Sequence, residues 1–93
     1  MREYEMIMII HPDLDEAAFT EVLQRVKDWI TEAGGEVIKT DLWGKRELAY
    51  PIRKQRQGQY VLMQFKMAPQ SGVQFERNLR YLEPVIRYIL TKK

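Results

Sequence analysis

The sequence predicts an α+β sandwich, four antiparallel strands with two helices on one face, in the order strand, helix, strand, strand, helix, strand. Three observations carry that expectation. Residues 2–10 and 59–67 alternate with the two-residue period of a strand. Residues 19–33 place apolar side chains at three- and four-residue steps, the period of a helix with one buried stripe. His11-Pro12, Gly34-Gly35, Pro69-Gln70-Ser71-Gly72 and Pro84 punctuate the chain where one element must give way to the next.

In the first strand Tyr4, Met6, Met8 and Ile10 share one face, with Glu3, Glu5, Ile7 and Ile9 on the other. The helix that follows carries its stripe on Phe19, Val22, Leu23, Val26, Trp29, Ile30 and Ala33. Two N-caps compete for its start. Asp15 would set Leu14 and Phe19 as a hydrophobic staple, and Asp13 would complete a capping box with Glu16. Gly34-Gly35 can adopt the positive φ that ends a helix. Residues 36–48 read as the second strand from Val37, Ile38, Thr40 and Trp43, with a bulge or bend at Gly44. Pro51 to Gly58 reads as a basic connecting loop.

The third strand, 59–67, sets Val61, Met63, Phe65 and Met67 against Tyr60, Leu62, Gln64 and Lys66. Ser71 reads as the cap of a shorter helix whose apolar residues are Val73, Phe75, Leu79 and Leu82. Pro84 ends it, and residues 85–91 form the last strand, with Ile86, Tyr88 and Leu90 inward. Two right-handed crossovers in one sheet give the split, ferredoxin-like β-α-β-β-α-β sandwich, a single domain over 1–93.

That architecture leaves one sheet face uncovered by helices. Ile7, Ile9, Tyr60, Leu62 and Ile89 should look outward there and cluster, because the first and third strands are the central pair. An exposed apolar patch of this kind marks a protein interface. Ile9→Glu is accordingly expected to spare the fold and block docking.

The net charge of +2 conceals an asymmetry: residues 1–41 hold four basic and ten acidic side chains, residues 42–93 eleven basic and three acidic. A basic half points to a polyanionic partner. The candidate contacts are Arg2, Lys45, Arg46, Arg53, Lys54, Arg56, Arg80, Arg87, Lys92 and Lys93. Base stacking on the sheet is disfavoured, since the first strand has no outward aromatic and the third offers only Tyr60. Contacts to phosphates by Lys and Arg are expected instead.

Other chemistry is poorly provided for. The chain has no cysteine and one histidine, so no metal centre is expected. His11, beside Pro12, reads as a turn residue, and Ser71 is not placed as a nucleophile. No glycine-rich phosphate loop or dinucleotide fingerprint implies a cofactor. No run approaches the length of a membrane span or a signal-peptide core, so a cytosolic location is expected. Two rivals from other classes stay open: an enzyme dimerised through the free sheet face with His11 or Tyr60 in a pocket, and a homo-oligomeric sensor binding a ligand between sheets.

The block Gly44-Lys45-Arg46-Glu47-Leu48-Ala49-Tyr50-Pro51-Ile52 resembles the signature of the bacterial ribosomal small-subunit protein six family. The opening Met1-Arg2-Glu3-Tyr4-Glu5, the Ile10-His11-Pro12-Asp13 turn and the strand bearing Arg87 extend the resemblance over nearly the whole chain. The resemblance implies a non-catalytic protein, and the free chain is expected to be a monomer. It would pair with small-subunit protein eighteen and bind the central domain of small-subunit ribosomal RNA. It also implies RNA or partner contact by Lys45 and Arg46, phosphate contact by Arg2, and a positioning role for Leu48, Ala49 and Tyr50. Many relatives carry a C-terminal tail beyond the last strand, and contacts made by such tails are not carried over.

Overall fold

The computed structural model describes residues 1–93. Its elements are β1 Arg2–Ile10, α1 Glu16–Glu32, β2 Glu36–Ile52, β3 Gln55–Met67, α2 Gly72–Arg80 and β4 Val85–Lys92, with a 3₁₀ turn at Pro69–Ser71 before α2. The sheet order is β2-β3-β1-β4, every pair antiparallel, so β1 and β3 are central as expected.

The alternation in β1 and β3 does what the pattern requires. Tyr4, Met6, Met8 and Ile10 pair in register with Phe65, Met63, Val61 and Gln59. All of these but Gln59 are buried in one cluster with Val22, Leu23, Val26 and Ile30 of α1 and Phe75 and Leu79 of α2. Tyr4 stacks on Phe65 at 5.5 Å between ring centroids, and Phe65 meets Phe75 at 5.4 Å. Phe19, Trp29, Ala33, Tyr88 and Leu90 pack around the rim of that cluster, as their spacing predicts.

Asp15 wins the cap of α1: its Oδ1 accepts from the Ala18 N–H at 2.8 Å, and Leu14 and Phe19 both lie against the core. Gly34 (φ +79) closes the helix. At Gly35 a Cβ would stand 2.3 Å from the Lys66 carbonyl oxygen, so β2 can enter beside β3 only with glycine there. Gly44 (φ +82) falls at a register shift between Leu42 and Gly44, the bulge its position suggests. His11 makes a turn, its Nδ1 accepting from the Asp13 N–H at 3.1 Å.

Five expectations need correction. The basic loop from Pro51 to Gly58 is instead the tip of a long hairpin. β2 runs on to Ile52, β3 begins at Gln55, and only Arg53 (φ +48) and Lys54 (φ +65) form the turn. Pro51 is tolerated because β2 is an edge strand. Ser71 caps nothing, since the 3₁₀ turn ahead of α2 supplies the entry in place of a side-chain bond. Val73 is 70% exposed, because in this short helix Phe75 and Leu79 alone face the sheet. At the start of β4 a register shift opposite Ile9 and Ile10 puts Val85 into the core cluster, with Ile86 buried beside it. Finally, Ile9 faces away from the helices as its alternation requires, yet only 7% of its surface is exposed. The hairpin bends back over it, and a Cβ on Gly58 would lie 2.3 Å from Ile9 Cγ2.

Candidate functional site

The face of the sheet away from the helices is built by odd-numbered residues of β1, even-numbered residues of β3 and the matching positions of β4. Ile7 pairs with Leu62 on one side and Ile89 on the other; Ile9 pairs with Tyr60 and Arg87. Ile89 is 51% exposed, while Ile7, Tyr60 and Leu62 are half-buried. The far end of β2 curls over this surface and turns it into a groove of about 300 Å³. Its walls are Ile7 and Ile9 of β1, Trp43, Leu48, Ala49, Tyr50 and Ile52 of β2, Tyr60 of β3, and Arg87 and Ile89 of β4. Leu62 lies on the same face outside the groove wall.

Two polar contacts fix the groove's rim. The Trp43 ring stacks on Tyr60, 6.4 Å between centroids with the planes 12° apart, and the Arg46 guanidinium sits 5.2 Å from the Trp43 centroid. Across the groove, Arg87 Nη1 donates to the Tyr50 hydroxyl at 2.6 Å, tying β4 to the curled end of β2. Sequence reasoning found neither Trp43 nor Tyr50 as outward aromatics. The bulge at Gly44 and the further register shift between Glu47 and Ile52 reset which β2 side chains face the groove, and simple alternation cannot see that.

The ten candidate cations divide into two groups. Lys45 and Arg46 pair with Gln59 and Gly58, next to the Ile10 end of β1. Arg53, Lys54 and Arg56 belong to the hairpin tip, and Arg80 and Arg87 come from the end of α2 and the start of β4 at the same end. Arg2 and Lys92 lie at the opposite end of the sheet, roughly 27 Å away at about 3.4 Å per residue along β1. Lys93 there is ion-paired with Glu5 at 3.6 Å, and it is the one member of the set in a salt bridge. The hairpin end is thus a concentration of cations without paired carboxylates, beside an apolar groove.

An apolar groove with a few fixed polar groups and a cationic rim is the surface of a binding module. The comparisons with known proteins place that module. A family model described as ribosomal protein S6 matches residues 3–92. A small ribosomal subunit protein bS6 from Moorella thermoacetica is 44% identical over 92 residues, covering 99% of this chain and 94% of the relative. Its counterpart from Carboxydothermus hydrogenoformans is 41% identical, covering 100% of this chain and 97% of the relative. The crystal structure of 30S ribosomal protein S6 from Thermotoga maritima superposes with a TM-score of 0.93 at 30% identity, over 99% of this chain and 87% of that one. A chemotaxis kinase CheA P2 domain from the same organism (TM-score 0.62, 14% identity) shares the fold alone.

The chain belongs to the ribosomal protein S6 family. It is a structural, non-catalytic component of the small ribosomal subunit and therefore a cytoplasmic protein that binds ribosomal RNA there.

Proposed function

We propose that this protein, free as a monomer and folded as one domain over 1–93, binds the central domain of small-subunit ribosomal RNA as a pair with small-subunit protein eighteen. The helix-free sheet face receives the protein partner: Ile7, Tyr60 and Ile89 with Trp43 and Tyr50 in the groove, Leu62 beside it, and Ile9 as its covered floor. Arg46, Lys45 and the cations of the hairpin end reach RNA phosphates beside it. The observation that carries this reading is the adjacency of the two surfaces: the groove wall and the unpaired cations share Arg87. Apolar burial supplies the protein contact, and counterion release supplies the RNA contact. Arg2, Lys92 and Lys93, at the far end of the sheet, make at most a separate contact.

The test is binding to a central-domain RNA fragment, with and without protein eighteen, across a salt series. Tight binding that needs the partner and weakens steeply with salt supports the reading. Absence of binding under both conditions would sink it.

A further inference from the structure

Around the start of β4 lies a second depression, of about 260 Å³, walled by Arg53, Leu79, Arg80, Val85, Ile86, Arg87 and Tyr88. Three arginines from three separate elements, the hairpin turn, the end of α2 and β4, line it. None of them is in a salt bridge. The one carboxylate bonded to a wall residue is that of Glu76, which accepts from the Tyr88 hydroxyl at 3.1 Å.

Three like charges lining one depression raise its positive potential, which favours an anion there. Two of the three guanidiniums are held by neutral acceptors, which fix direction without cancelling charge. Arg53 Nη1 donates to the Glu83 carbonyl at 3.3 Å, and Arg87 Nη1 donates to the Tyr50 hydroxyl at 2.6 Å. Each arginine has five N–H donors in a planar fork, so most remain free for oxygen ligands. The backbone points the same way. Arg53 and Lys54 both adopt positive φ, +48° and +65°, where Asn-Gly would serve a two-residue hairpin without strain.

We propose that Arg53, Arg80 and Arg87 together hold a single phosphate of the RNA backbone, and that Tyr50 is the residue that positions Arg87 for it. This site rests on the RNA-binding reading above. It also links the two surfaces, because Tyr50 and Arg87 are groove residues as well, so a partner seated in the groove bears directly on the side chains that orient the phosphate ligand.

The test measures affinity for the central-domain RNA fragment, in the presence of protein eighteen, across a salt series. It compares the wild-type chain with Arg53→Gln, Arg80→Gln, Arg87→Gln, the triple variant and Tyr50→Phe. A shared phosphate makes the single substitutions non-additive: each weakens binding roughly ten- to hundredfold, the triple little more. The log–log salt slope falls by about one, the value for one phosphate. Tyr50→Phe weakens binding severalfold with the slope unchanged, and has no further effect in the Arg87→Gln background, an outcome that a merely structural role would not give. Additive losses with a slope change of about three mean three separate phosphates and overturn the site while leaving the RNA reading intact. Wild-type affinity in all variants overturns it equally. A wild-type chain that does not bind overturns both the site and the reading beneath it.

Discussion

At the scale of single residues, the contact between Gly58 and Ile9 decides how much of the free sheet face is open. Glycine lets the hairpin backbone settle onto the Ile9 side chain; any larger residue would have to displace a β-branched methyl in a crowded place. Gly58→Ala is therefore expected to destabilise the protein by about 1–3 kcal/mol, read as a lower urea midpoint at unchanged slope. The same contact separates two positions that the strand pattern treats alike. Ile9→Glu buries a carboxylate under the hairpin and is expected to cost about 3 kcal/mol or more. Ile89→Glu, half exposed in the same groove, should leave the melting temperature within a few degrees of wild type and remove partner binding. Thermal unfolding together with a pull-down by protein eighteen checks both. Alternation in β1 and β3 was enough to assign Ile9 to the helix-free face. That the face folds over upon itself was not legible, because the groove wall is contributed largely by β2, whose pairing with β3 shifts register three times.

At the scale of elements, the strengths and failures of sequence reasoning follow from period and punctuation. β1 and α1 each have a strong period and clear stops, and their limits fall within a residue or two of expectation. The start of α1 shows how local chemistry settles an ambiguity: both Asp13 and Asp15 offered an oxygen, and Asp15 takes the Ala18 N–H. Asp15→Ala should cost about 1 kcal/mol in a urea titration, whereas Asp13→Ala should cost a few tenths at most. The long hairpin was misread because its turn carries none of the usual residues. Pro51 and a run of charged and amide side chains look like a loop, and Arg53-Lys54 lacks the Asn or Gly that signals positive φ. Replacing Arg53-Lys54 by Asn-Gly gives the turn its preferred chemistry. The double variant is expected to be more stable by about 1–2 kcal/mol and yet to bind RNA more weakly. A stability gain with undiminished binding would show that the strained turn has no part in recognition.

At the scale of the whole molecule, the charge asymmetry along the chain becomes an asymmetry in space. The acidic half supplies α1, whose Glu21 and Asp28 face solvent on the side away from the groove. The basic half supplies the hairpin, α2 and β4, and seven of its cations (Lys45, Arg46, Arg53, Lys54, Arg56, Arg80 and Arg87) gather at one end of the sheet, while Lys66, Lys92 and Lys93 lie at the other. The composition predicted a polyanion partner, and the topology decided which cations stand together; Arg53, Arg80 and Arg87 are 27 and 7 positions apart in sequence and share one depression. Lys45→Ala combined with Arg46→Ala should weaken the complex with RNA and flatten its salt dependence by up to two phosphates' worth of slope. An unchanged slope would remove both from the RNA-facing set.

The central claim is that the helix-free sheet face and the hairpin end form one composite interface while the helices face solvent. Amide hydrogen exchange on the chain alone, with protein eighteen, and with protein eighteen plus the central-domain RNA fragment tests it most directly. The expected result is added protection at the curled end of β2, at the hairpin tip and at the start of β4, with α1 unchanged across all three states. Protection that appears instead along α1, around Glu21 and Arg25, with the β2–β3 hairpin exchanging as it does in the free chain, would contradict the account.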